Sequence, residues 1–404
     1  MSTVLAGPLR VLLTSRESSS MIGENWSLNN KERVMGVVVM GVGICGSFSA
    51  SGGLSYRELI AKAAMMAYED AGVTAEQIDG AVSCEEDFIS GYSIADEYVP
   101  DQLGMVRKPV YTIGGDFLQG IASAVMQINT GRFNILVVES YSKASNILTK
   151  DEILHFALDP TYNRFGVSPH YLAGIEMQQF LANSMYSEDD VAEIAAFNRS
   201  RALKNPLACY SEKLDGDDVL GSRTIASPVT ELMMARPADA AVVVVLASEA
   251  AASECPEEPI FVSGTGWASG NSIIERRAHD TSDGTELAAR MAYEEAGISV
   301  PEEQFDVAYV SDLYAHRQLM HLDALGISTD FLPFVNPDGG SQAMGDLYEA
   351  NGGARFYDAV KQLRGQAGTH QIEGAKTALL QAWRGIPTDT CSVVVLDAKG
   401  GSNE

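Results

Sequence analysis

Apolar blocks that alternate with amphipathic ones give this chain the rhythm of an α/β protein. Val37–Met40 reads as a strand and runs into a Gly/Ser loop. An amphipathic helix starts near Tyr56 and is stopped by Gly72, and an acidic turn and a second strand, Gly80–Ser83, follow. The same order returns in the second half. Glu58-Leu59-Ile60 and Met66-Ala67-Tyr68-Glu69-Asp70-Ala71-Gly72-Val73 are echoed by Glu286-Leu287 and Met291-Ala292-Tyr293-Glu294-Glu295-Ala296-Gly297-Ile298. Glu76-Gln77-Ile78-Asp79 is echoed by Glu303-Gln304-Phe305-Asp306. The repeat is far longer than a solenoid unit, so the pattern predicts two α/β halves related by a pseudo-twofold axis.

Further along, Gln119–Thr130 reads as a buried helix followed by the strand Asn134–Glu139, and Ala354–Leu363 with the strand Cys391–Asp397 take the matching places. Ala240–Ala247 is a continuous apolar run, the mark of a strand buried on both faces that returns to the first half. These readings divide the chain into an N-terminal extension over 1–34 and a first half over 35–142, completed by 239–248. A helical insertion over 143–235 and a second half over 258–404 complete the division.

Gly41-Val42-Gly43-Ile44-Cys45-Gly46 matches a dinucleotide-binding G-x-G-x-x-G, which requires a helix to open at the third glycine. Here Ser47–Gly53 is a loop instead, and Gly264-Thr265-Gly266 repeats the glycines in the second half. The pattern therefore belongs to the duplicated strand-to-loop turn.

Charge narrows the partners. The 404 residues carry 54 acidic and 28 basic side chains, a net charge of −26. That repels nucleic acid and anionic membrane surfaces. Five scattered cysteines without a C-x-x-C pair, and no apolar run long enough to span a bilayer, lead to the expectation of a cytoplasmic protein without a metal site. His316 and His321, five apart, do not share a helix face and are not read as a metal pair.

Two α/β halves with a helical insertion resemble the thiolase superfamily, and Val335-Asn336-Pro337-Asp338-Gly339-Gly340 looks like its N-P-x-G-G segment. The sterol-carrier and archaeal branch is the nearest in pattern. The resemblance spans roughly Met35 to Gly400 and implies a five-layered α/β fold that pairs as a dimer or a dimer of dimers. It also implies coenzyme A thioester substrates and a small zinc-ribbon/OB-fold partner subunit.

The family's chemistry uses a cysteine at the start of a buried helix and two histidines. In this chain the cysteine's place falls on Asp116 or Gly115, the first histidine's on Ser311, and the second's on Asp346. All three are changed. The superfamily's retro-aldolases, which use tyrosines near the same loops, suggest an aldol-type reaction with Tyr348 and Asp116 as acid/base groups. The resemblance also implies Asp346 and Tyr314 as site residues and the Gly385 N–H as the backbone donor for the thioester oxygen. The alternatives are a non-catalytic scaffold subunit and an atypical thiolase acting through Cys84. Three acidic residues follow Cys84 and oppose its activation. Arg199, Arg201, Lys204, Arg276 and Arg277 are the cationic candidates for the coenzyme A phosphates, and His170 is a candidate for the substrate tunnel.

Overall fold

In the computed structural model the described residues are 36–86, 95–146, 152, 155, 158–164, 166, 169–271, 273–386 and 388–398. The extension expected over 1–34 lies outside them. The strands are β1 (Val37–Phe48), β2 (Gly80–Cys84), β3 (Val110–Ile113), β4 (Ile135–Lys143), β7 (Asp239–Ser248), β8 (Ile260–Ser269), β9 (Val307–Tyr309), β10 (Thr377–Gly385) and β11 (Asp389–Asp397). They form one sheet in the order β3-β2-β4-β7-β1-β8-β11-β10-β9, and β5 (Thr224–Ala226) and β6 (Val229–Thr230) pair as a small ribbon. The longer helices are α1 (Tyr56–Ala71), α2 (Phe117–Asn129), α3 (Pro169–Asn183), α4 (Glu188–Arg201), α5 (Asp283–Ala296), α6 (Ala315–Leu325) and α7 (Asn351–Leu363).

The strand order is a mirror about the centre. β1 meets β8 antiparallel at Val38 and Val39. Outward from there, β7, β4 and β2 on one side repeat the pairing directions of β11, β10 and β9 on the other. This corrects one expected match. The counterpart of β4 is β10, since each lies beside a parallel neighbour, and Cys391–Asp397 falls in β11, the counterpart of β7. The insertion therefore separates two antiparallel neighbours, β4 and β7, whose mates β10 and β11 are paired out to Gly385 and Asp389.

Alternating strand residues build the layers. Val82, Val138, Val242, Leu380, Ala382 and Val394 face inward on α2 and α7, which share the central core through Phe117, Ile121, Phe356 and Val360. Val38, Val137 and Val243 face outward beneath α1, and Leu379, Trp383, Val393 and Val395 face outward beneath α5 and α6. Helix, one half of the sheet, helix pair, the other half of the sheet and helix make the five layers of a thiolase fold. The insertion packs its α3 and α4 into the outer core of the second half through Met177, Val191 and Ile194.

Repeated backbone contacts explain the repeated glycines. A Cβ on Gly41 or Gly43 would collide with the carbonyls of Ala67 and Ala63 in α1, and one on Gly264 or Gly266 with those of Ala292 and Ala288 in α5. The glycines bring helix against strand and form no phosphate cradle. Between each pair, one N–H donates to an acid of the covering helix. Val42 donates to Asp70 Oδ2 at 2.9 Å, and Thr265 to Glu295 Oε2 at 2.8 Å. Gly72 and Gly297 end the two helices with φ of 67° and 71°, the left-handed cap that glycine adopts without strain. Among the described residues no helix is long and apolar enough to cross a membrane.

Candidate functional site

Two helices of the middle layer begin side by side, and one carboxylate closes both. Asp116 is the N-cap of α2, its Oδ1 accepting the Leu118 N–H at 2.8 Å, while Oδ2 accepts the Gly352 N–H in the first turn of α7 at 3.1 Å. Gly352 has to be glycine, because a Cβ there would strike Asp116 and Leu118. Asp116 is 5% exposed, and burial pushes its carboxyl up to about 6 against the pull of these N–H groups and of Arg355.

The lead-in to α7 supplies the remaining acids. Asp346 is buried, its backbone bonded to Arg236 and Ala238 just before β7. Its Oδ1 accepts from the Tyr348 N–H at 3.1 Å and from Asn351 Nδ2 at 2.9 Å. Asn351 also bonds the Tyr348 carbonyl, which holds Tyr348 at φ 53°, a left-handed backbone uncommon for an aromatic residue. Burial, with Asp346 and Glu349 nearby, pushes the Tyr348 hydroxyl far above its ordinary range, so it remains protonated. Glu349 is 3% exposed, and burial with the charges of Asp116 and Asp346 raises its carboxyl to about 8. Arg384 closes this group, its Nε donating to Glu349 Oε1 at 3.1 Å, its Nη1 to the Gly114 carbonyl at 3.0 Å, and its Nη2 pairing with Glu86. Gly385 follows it as the last residue of β10.

The sequence candidates divide on this frame. Asp116, Asp346 and Tyr348 come together, with Gly385 next to the arginine that closes the group. Tyr314 does not join them. Its hydroxyl meets His170 Nδ1 at 2.9 Å, and its ring packs on Trp383 under the outer helices. Trp383 and Arg384 are neighbours on β10, so their side chains leave the sheet on opposite faces and Tyr314 belongs to the other face. Ser311 is fully buried, its N–H bonded to Gln381 Oε1.

The expected cationic rim is not assembled. Arg199 is fully buried, donating to the Leu232 and Met234 carbonyls and to Gln342. Arg201 is spent on the carbonyls of Leu332, Pro333 and Val335, and Arg277 pairs with the buried Glu176. These guanidinium groups close carbonyl and carboxylate gaps that the insertion leaves open. Lys204 and Arg276 remain exposed. Cys84 is fully buried, and burial with the charges of Glu139, Asp116, Glu85 and Glu349 holds its thiol far above its ordinary range, which disfavours the nucleophilic thiolate.

Glu349 and Arg384 belong to this group and were not among the sequence candidates. Their one sequence signal is an acid just before an amphipathic helix and a cation near the end of a largely apolar strand. Among the described residues no trio of His, Cys, Asp or Glu is placed to hold a metal ion.

No family model matches the chain. The acetyl-CoA acetyltransferase of Methanothermobacter thermautotrophicus is 26% identical over 352 residues, covering 81% of this chain and 90% of its own. The 17-hydroxy-3-oxo-4-pregnene-20-carboxyl-CoA lyase of Mycobacterium tuberculosis is 24% identical over 384 residues, 87% of this chain and 97% of its own. A solved Ltp2-ChsH2(DUF35) aldolase superposes with a TM-score of 0.77 at 20% identity, over 90% of this chain and 98% of that one. At that identity the likeness establishes the fold.

Proposed function

Taking this chain as the thiolase-superfamily protein that its fold and its relatives make it, we propose that it cleaves or forms a carbon–carbon bond beside a coenzyme A thioester by aldol chemistry. The observation that carries the reading is the pair Asp116 and Glu349. They are buried together, with carboxyls at about 6 and about 8, so at neutral pH one is a base and the other an acid.

In the cleavage direction Asp116 takes the proton of a β-hydroxyl. The Cα–Cβ bond breaks, its electron pair passing to the thioester enolate as the Cβ–O bond becomes a carbonyl. Glu349 then protonates Cα, and proton return from Asp116 to Glu349 resets the pair. Tyr348, protonated throughout, donates a hydrogen bond to the developing oxyanion, as does the Gly385 N–H. No covalent acyl-enzyme is needed, which suits a site whose cysteine position holds a carboxylate. The solved aldolase is named for two components, Ltp2 and ChsH2(DUF35), and a zinc-ribbon/OB-fold subunit is the partner proposed for this chain.

Incubation with β-hydroxyacyl-CoA esters, alone and with such a partner, tests the proposal by release of the shortened acyl-CoA and a carbonyl compound. Tyr348→Phe turning over like wild type removes the tyrosine from the scheme. Coenzyme A ester binding without turnover in either condition replaces the enzyme with a scaffold subunit.

A further inference from the structure

A carboxyl group gives up its proton only from the oxygen that carries it, and a strong donor fixed on one oxygen assigns the proton to the other. Glu349 is arranged in this way. Its Oε1 accepts Arg384 Nε at 3.1 Å, whereas Oε2 is buried and has no hydrogen-bond partner among the described residues. In a neutral carboxyl the carbonyl oxygen is the better acceptor, so the guanidinium keeps Oε1 as the carbonyl and leaves the hydrogen to Oε2.

The guanidinium is itself held in place. Arg384 stands next to the last residue of β10, and each of its three nitrogens goes to a different element. Nε goes to Glu349 before α7, Nη1 to the Gly114 carbonyl two residues before Asp116, and Nη2 to Glu86 beyond β2. A planar fork tied at three corners keeps one orientation, which the single ammonium of a lysine would not. Its charge is divided as well, since Glu86, 23% exposed, shares it with the buried Glu349. The other groups around Glu349 are acids, are neutral or are engaged elsewhere. Asp116 and Asp346 raise its carboxyl, its own N–H favours the ionised form, and Cys84 and Tyr348 stay protonated. On β4 and β7, which pack on this segment, Glu139 bonds Ser83, and Lys143 and Asp239 pair with each other. Arg355 acts on Asp116.

We infer that Arg384 is the positioning residue of the proposed acid, placing the transferable proton on Glu349 Oε2, and that Glu86 helps to retain that proton by drawing off part of the arginine's charge. The inference rests on the reading of Glu349 as the acid of the pair.

The test is infrared difference spectroscopy of the full chain, in which the carbonyl stretch of protonated Glu349 is the band lost in Glu349→Gln. In wild type this band should disappear as pH rises through about 8. Arg384→Met should move the band to higher wavenumber, because the carbonyl loses its donor, and raise its midpoint by about one pH unit or more, because the carboxylate loses its cation. Glu86→Gln should lower the midpoint by about half a unit or more, since the whole charge then falls on Glu349. Arg384→Lys, which keeps the charge, should return the midpoint to within about half a unit of wild type. An arginine that only braces the fold would not produce shifts of opposite sign. An unchanged wavenumber in Arg384→Met puts the proton on Oε1, and midpoints that stay put or move the same way in Arg384→Met and Glu86→Gln remove the electrostatic role; either result overturns the inference. If Arg384→Met fails to fold, Glu86→Gln decides, and the absence of a downward shift overturns it. No band lost in Glu349→Gln means that Glu349 is ionised, which overturns the inference together with its premise. The spectra need no substrate, so missing aldol turnover with these shifts intact counts against the reaction alone.

Discussion

The two halves of this molecule keep one another's scaffold and abandon one another's chemistry. On the outside, β1 under α1 and β8 under α5 agree down to paired glycines, a helix acid bonded to the N–H between them, and a left-handed glycine cap. In the middle layer, the start of α2 carries Asp116, whereas the lead-in to α7 carries Asp346, Tyr348, Glu349 and Asn351. The outer contacts are made by backbone atoms, where any side chain larger than hydrogen collides. The helix starts are defined by side-chain hydrogen bonds, which different residues satisfy in different ways. Duplication therefore leaves its trace where sterics forbid change.

The largest effect is expected where the halves agree. Gly43→Val and Gly266→Val each force a side chain into a helix backbone and should destabilise by on the order of 3–5 kcal/mol, in similar measure, as read by denaturant unfolding. If Gly266→Val were mild while Gly43→Val unfolded the protein, the equivalence of the halves would break down.

Where the halves differ, the effect should fall on rate. Asp116→Asn keeps an oxygen for the Leu118 N–H but loses the acceptor for the Gly352 N–H and removes the proposed base, so turnover should drop by roughly 10²–10⁴ and the unfolding midpoint should fall as well. Wild-type activity should rise with pH through about 6, as Asp116 ionises, and decline above about 8, as Glu349 loses its proton. A flat profile across this window would dissociate the two carboxyls from the reaction.

A smaller effect concerns Glu139 on β4, fully buried and bonded to Ser83 Oγ, whose carboxyl burial raises to about 8. Its folded-state value lies above the unfolded one, so the stability of the neutral form is complete below the ordinary carboxylate range and is lost as pH rises through about 8. Glu139→Gln, which cannot ionise, should flatten the decline in thermal midpoint between pH 5 and 9. An unchanged decline would assign it to other buried acids. The least effect is expected from Tyr314→Phe, on the far face of β10, with turnover within about threefold of wild type because its hydroxyl acts on His170 and not on the reacting atoms.

Much of the architecture was legible because repetition and periodicity are properties of the chain itself. The echo around Met66–Val73 and Met291–Ile298 identified the duplication, and the apolar run Ala240–Ala247 identified the strand between β4 and β1. The match between β4 and Cys391–Asp397 went astray because order along the chain stood in for order across the sheet, and β10 intervenes. Asp116 stood out only through the resemblance, at the place of the family's cysteine, and the structure puts it at the start of α2. Arg199 and Arg277 read as cations for the coenzyme A phosphates because a sequence shows charge without the carbonyls and carboxylates that consume it, and Glu349 holds its proton only through burial beside Asp116 and Asp346.

The placement of the insertion between β4 and β7 has a consequence for how such a protein can diversify. Its ends leave and re-enter the sheet on adjacent antiparallel strands, as the two ends of an enlarged hairpin turn do. Lengthening a closed loop adds entropy cost only logarithmically, so residues could be added to the parts of the insertion that do not pack on the second half without altering a rung of the ladder beneath it. A change made in that one segment would leave in place the helix starts of the paired halves, with Asp116 and Asp346 on them.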